Sequence, residues 1–148
     1  MLQLAIPFLA VLFVGLGIAI ETPTNALLGK SLNSALWASL VSFIVGTLVL
    51  GVAAAATRPR LPEGWSAATP WYAWVGGVYG AAVVLASAWA TPKLGAGATL
   101  VVIVASQVAL GVALDHFGVF GLTQHPAGWL RIGGVLVVTI GAVLVSVG

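Results

Sequence analysis

Residues 31–57 of this chain carry no Asp, Glu, Lys or Arg, and neither do residues 1–20, 64–92, 94–114 or 132–148. Crossing a hydrocarbon layer about 30 Å thick takes roughly 20 apolar residues in a helix. Each of these runs is long enough, or nearly so. The remaining run, 116–130, is short and holds His, Gln, Gly and Pro. In lipid no water is available for free N–H and C=O groups, so each span has to be helical. The expected fold is therefore an all-α integral membrane protein with five transmembrane helices. Their approximate bounds are 2–28, 35–56, 71–90, 96–114 and 130–147, in a single domain over 1–148.

Composition closes off the alternatives. Asp, Glu, Lys and Arg number 3 + 5 = 8 in 148 residues, whereas a soluble domain carries roughly a quarter of its residues as charges. The five cations are dispersed, so there is no basic patch for nucleic acid. There is no cysteine, which removes disulfides and thiolate metal sites. His116 and His125 are separated by a Gly- and Pro-containing stretch, unlike a pair of metal ligands on one helix face. No nucleophile–base spacing or phosphate-binding glycine loop appears, so neither catalysis nor a cofactor is expected. The first run opens Met-Leu-Gln with no basic segment, and it reads as a retained helix rather than a leader.

Pro23 follows Glu21 closely, so helix one either stops or kinks there, or continues to Leu28. The first case leaves Glu21 interfacial and wet; the second puts it inside the membrane. Ionisable groups within spans are costly and mark substrate or proton paths. Asn25, four residues on, shares the face of Glu21 if the helix continues. Gln107, in the middle of helix four, needs partners for its amide. With Ser106, Ser39, Ser42 and Thr47 it either lines a polar cavity or bonds helices together. Tyr79, Ser87 and Trp89 offer an aromatic wall for an organic or cationic ligand. Trp71, Tyr72 and Trp74 fit the headgroup belt. Asp115 and Arg131 are placed to form a structural ion pair between consecutive helices. Gly76 with Gly80, and Gly134 with Gly141, are spaced for close helix packing, although glycine is frequent in membrane helices anyway.

With five spans, Arg58, Arg60 and Arg131 lie on one face and Lys30 and Lys93 on the other, three cations against two. Loop cations set orientation. This near balance favours insertion both ways round, and two oppositely oriented copies then pair as an antiparallel homodimer, the inverted-repeat plan of many transporters. The competing reading is one fixed orientation.

Several segments, in chain order, carry a resemblance. They are Asn25-Ala-Leu-Leu-Gly-Lys30, Ser42-Phe-Ile-Val-Gly46, Pro70-Trp-Tyr-Ala-Trp-Val-Gly-Gly-Val-Tyr-Gly80, Pro92-Lys-Leu-Gly95, Ser106-Gln107 and Leu114-Asp-His-Phe-Gly118. Together with the glycine-rich fifth helix, the set resembles the YdcZ-type five-helix family of the drug/metabolite transporter superfamily. The resemblance covers nearly the whole chain. It implies a half-size bacterial inner-membrane transporter working as a pair of inverted units. In logic it is similar to the small multidrug resistance proteins, where a glutamate in helix one couples protons to cation export. The family commonly has Gln where this chain has Glu21. The expectation is an exporter of a small organic metabolite or cation, with Glu21, Asn25, Ser42, Tyr79 and Gln107 lining a midplane cavity. The alternative is a non-transporting membrane subunit that scaffolds a partner.

Overall fold

A computed structural model of the chain describes residues 2–60, 63–64 and 69–148, without the side chains of 2–5 and 8. The described residues form α1 (Leu2–Ser31), α2 (Ala35–Thr57), α3 (Gly76–Leu94), α4 (Ala96–Phe117) and α5 (Trp129–Val147). A 3-10 turn, Trp71–Val75, leads into α3. Five segments are long and apolar enough to cross a membrane: Leu9–Ser31, Ala35–Thr57, Trp71–Leu94, Ala96–Phe117 and Trp129–Val147. Tertiary contacts gather the chain into two compact units, Met1–Trp89 and Ala90–Gly148.

In the first unit α1 and α2 form an antiparallel hairpin. Pro23 removes one N–H from α1, yet the helix neither stops nor ends at 28; it continues to Ser31. The turns around the proline are held from outside, because Thr22, Asn25 and Ala26 are all buried there. The chain then reverses within three residues. Asn33 takes a left-handed conformation (φ 49°), and Ser34 N–H donates to the Gly29 carbonyl at 2.9 Å. Ser34 caps α2, its Oγ accepting from Trp37 N–H at 3.3 Å. The two backbones draw together at Gly29, where a Cβ would sit 3.7 Å from Ala35 Cα and 3.8 Å from Ala38 Cβ, ordinary contact distances.

The expected third helix, 71–90, differs at both ends. Its first five residues, set off by Pro70, wind as the 3-10 turn, with Trp71 and Tyr72 edge to face at 6.1 Å. Such tight turns are common at helix starts. At the other end α3 runs through Pro92 to Leu94, so the turn expected over 91–95 shrinks to Gly95 (φ 84°). The Gly95 N–H closes α3 on the Thr91 carbonyl at 2.9 Å, and the Gly95 carbonyl accepts from Thr99 N–H at 3.1 Å to open α4.

The second unit is built on α4 packed against α5. α4 runs three residues past the expected 114 and stops at Gly118, whose φ of 60° is the usual left-handed ending of a helix.

Among the described residues the buried ones are small. They are Ala26, Ala38, Ala88, Ala105 and Ala142 with Thr22, Asn25, Ser39, Ser87, Thr91 and Thr99. Large aliphatic side chains point outward; Leu50 is 70% exposed. That inversion suits lipid as solvent. Apolar side chains gain nothing from leaving it, and close backbone packing through small residues supplies the attraction. Buried hydroxyls bond back along the chain: Ser39, Ser87 and Thr99 each donate to the carbonyl four residues earlier, at 2.7–2.8 Å. Thr91 Oγ1 is buried beside Pro92 without a partner among the described residues.

A candidate binding groove beside Glu21

Because α1 is continuous, Glu21 is not at its end. Within α1 it stands 21 − 2 = 19 residues after the first residue and 31 − 21 = 10 before the last. At 1.5 Å per residue these are about 28 and 15 Å, so it lies nearly three turns inside the helix.

Three of the expected site residues meet here. Asn25 Nδ2 donates to Glu21 Oε1 at 3.4 Å, one turn away on the same face. From α2, Ser42 Oγ donates to Asn25 Oδ1. Asn25 is 6% exposed, Ser42 half-buried and Glu21 exposed at the groove. A carboxylate can only accept, so Asn25 must turn its amide N–H toward Glu21 and its carbonyl toward Ser42. The direction of the relay follows from the charge at its end. Glu21 has Asn25 as its partner and no cation beside it among the described residues.

The relay forms the floor of a groove of about 570 Å³ between α1 and α2. Its polar lining is Glu21, Thr24, Asn25, Ser31 and Ser42; its apolar lining includes Leu27, Leu28, Val41 and Val45. A smaller hollow of about 250 Å³ adjoins it, sharing Glu21, Ser42 and Gly46 and adding Phe43, Thr47 and Val84. Thr24 and Ser31 were missed as candidates in the sequence. They follow Glu21 by three and ten residues, spacings that keep all three near one helix face.

Two expected members lie elsewhere. Tyr79, on α3, is 71% exposed and lines neither hollow. Gln107 belongs to the second unit, is exposed, and is absent from the groove of about 560 Å³ between α4 and α5. That groove has an apolar lining with Ser106, Thr139 and Ser146, whose hydroxyls donate to carbonyls of their own helices at 2.7–2.8 Å.

The expected packing glycines divide. A Cβ at Gly80 would meet the Phe43 ring at 3.6 Å, so α2 and α3 approach there. Gly76, Gly134 and Gly141 have no atom of their own unit within 4 Å of that position. In the second unit the small residue of α5 that is buried is Ala142, next to Gly141.

Arg131 Nη1 lies 3.2 Å from Asp115 Oδ2 and donates to the His125 carbonyl at 3.2 Å. His125 N–H donates to the Asp115 carbonyl at 2.8 Å. Gln124 Nε2 donates to the His116 carbonyl at 2.8 Å, and Ala127 N–H donates to His116 Nδ1 at 3.0 Å. These bonds fasten the loop after α4 onto the end of that helix, and they occupy Asp115, His116 and Arg131 in structure.

A family model described as "Putative inner membrane exporter, YdcZ" matches residues 6–144. No curated protein and no solved structure matches the chain.

Proposed function

This chain belongs to the YdcZ family, and we propose that it is a half-size exporter of the drug/metabolite type that moves a small organic metabolite or cation across the bacterial inner membrane. Two copies in opposite orientations form the working unit, and alternating access runs around a cavity to which each copy brings Glu21. The observation that carries this reading is the carboxylate of Glu21, inside a helix long and apolar enough to cross a membrane, hydrogen-bonded to Asn25 and with no cation beside it among the described residues. A charge so placed is costly unless a proton or a bound cation neutralises it. Alternation between those two neutralisers is the chemistry of exchange: a proton displaces the cargo on one side and leaves on the other. Asn25 and Ser42 hold the carboxylate in place, while Tyr79 and Gln107 complete the cavity wall once two chains are assembled. The near balance of three cations against two across the faces supports the inverted pairing.

The test is pH-gradient-driven uptake of a panel of small organic cations and neutral metabolites into proteoliposomes, with wild-type and Glu21→Gln proteins side by side. Glu21→Gln should fold and dimerise normally and lose proton-coupled transport. A mutant with the same rate and the same pH dependence would assign Glu21 to a non-transport role.

A further inference from the structure

The hydrogen-bond directions around Glu21 narrow the cargo further than polarity alone. Ser42 spends its proton on Asn25. Thr24 spends its proton on the Ile20 carbonyl, and Ser31 donates to the Leu27 carbonyl at 3.1 Å. Asn25 keeps one amide N–H beyond its bond to Glu21, but its side chain is packed between the helices and only 6% of the residue is exposed. What the groove presents to a ligand is therefore a set of lone pairs: both oxygens of Glu21 and the hydroxyl oxygens of Ser42, Thr24 and Ser31. Thr47, in the adjoining hollow, has the one uncommitted hydroxyl among the described residues of the two linings.

Resting on the transporter reading above, we infer that the groove beside Glu21 binds an organic cation that carries its own N–H donors, an alkylammonium or a guanidinium, in preference to quaternary ammonium ions, anions or metal ions. An anion would find lone pairs and a negative charge. A quaternary ammonium would satisfy the charge but has no N–H to offer Glu21 Oε2 or the Ser42 hydroxyl oxygen, so it forgoes the charge-assisted hydrogen bonds that an N–H donor makes there. A small metal ion needs about six oxygens converging at one point, whereas these acceptors are strung along α1 from Glu21 to Ser31, about 15 Å. A groove of about 570 Å³ walled by Leu27, Leu28, Val41 and Val45 has room for a hydrocarbon tail beside the charged head. The surroundings add no competing charge: α2 has no titratable side chain, Lys30 is the one other charged residue of α1, and Lys30 does not line the groove.

The experiment is calorimetric titration of the purified, detergent-solubilised protein with four probes: butylammonium, butyltrimethylammonium, butyrate and sodium ion. The two ammonium probes share charge and tail and differ in N–H donors. Hydrogen bonds to a charged group are worth enough to separate them about tenfold or more in Kd. Butylammonium should bind at least about tenfold more tightly than butyltrimethylammonium, lose tenfold or more in Glu21→Gln, and resist displacement by sodium. Equal Kd values for the two ammonium probes, displacement by sodium, or preferential binding of butyrate would each overturn the inference. Binding and transport fail separately. Glu21-dependent butylammonium binding without uptake in liposomes refutes the transporter and keeps the groove's selectivity. Glu21-dependent transport with equal competition by both ammonium probes does the reverse.

Discussion

Ala38 is the tightest point of the α1–α2 hairpin, and enlarging it should separate two helices whose contact sets the geometry of the site. The residue is 0% exposed, and its Cβ would lie 3.8 Å from a Cβ built on Gly29. Ala38→Leu inserts three carbons where one already makes contact. Overpacking of this kind costs about 1–3 kcal/mol. Ser42 lies one turn along the same face, so the displaced α2 also loses its bond to Asn25, which is worth about 0.6 kcal/mol in a membrane helix pair. The total is about 1.5–3.5 kcal/mol. Gly29→Ala is the complementary change. Its new Cβ meets neighbours at 3.7–3.9 Å, ordinary contact, so the variant should be neutral or gain up to about 1 kcal/mol from helix propensity. Leu48→Ala, at a position 63% exposed, serves as the lipid-facing control and should stay within about 0.5 kcal/mol. Reversible unfolding in mixed dodecylmaltoside–dodecylsulfate micelles, followed by far-ultraviolet circular dichroism, gives all three values. If Ala38→Leu matches the control, the hairpin is not held by small-residue packing and this account of the fold fails.

Three further outcomes follow from the same structure. Single cysteines replacing Thr123 and Gly148 should each label from both sides of intact cells; labelling of each from one side alone would refute dual insertion. Gly141→Leu should dissociate dimers in mild detergent by light scattering without unfolding the chain, because its own unit leaves that position open; an unchanged dimer mass would remove Gly141 from the interface. Arg131→Gln should cost less than about 1 kcal/mol, since both side chains of the ion pair are more than a third exposed and screened. It should nevertheless accelerate amide exchange over residues 119–128, and unchanged exchange would mean the loop is held by its backbone bonds alone.

The five spans were legible because lipid leaves a coarse mark: a run of the right length without charges. What charge could not mark was how a helix treats proline. Pro23 read as an end or a kink and Pro92 as part of the turn between the third and fourth helices, and both lie inside helices. Each costs one backbone bond, and small buried residues on neighbouring turns hold the helix across the gap. Glu21, Asn25 and Ser42 were legible through polarity plus the spacing of four along α1. Gln107 was selected by polarity alone and Tyr79 as part of an aromatic wall, neither with a face to test it against. Gly80 and Ser87, seven apart, share a face of α3; Tyr79 is one residue off that stripe, about 100° around the helix. Arg58 gave no clear signal, since it ends α2 in the left-handed conformation where glycine or asparagine is the usual residue.

The habit of hydroxyls bonding back along their own helix has a mechanical consequence in the second unit. Thr99, Ser106, Thr139 and Ser146 all turn inward to carbonyls of α4 or α5, and no side-chain hydrogen bond crosses between the two helices along their length among the described residues. At the loop end the opposite holds, where Arg131, Asp115 and the backbone around His116 and His125 are tied together. The pair is built like tweezers: riveted at the loop, with smooth arms that meet only through dispersion forces. Spreading the arms breaks no directional bond, and the groove lined by Ser106, Ala142 and Val147 lies along those arms, away from the rivet.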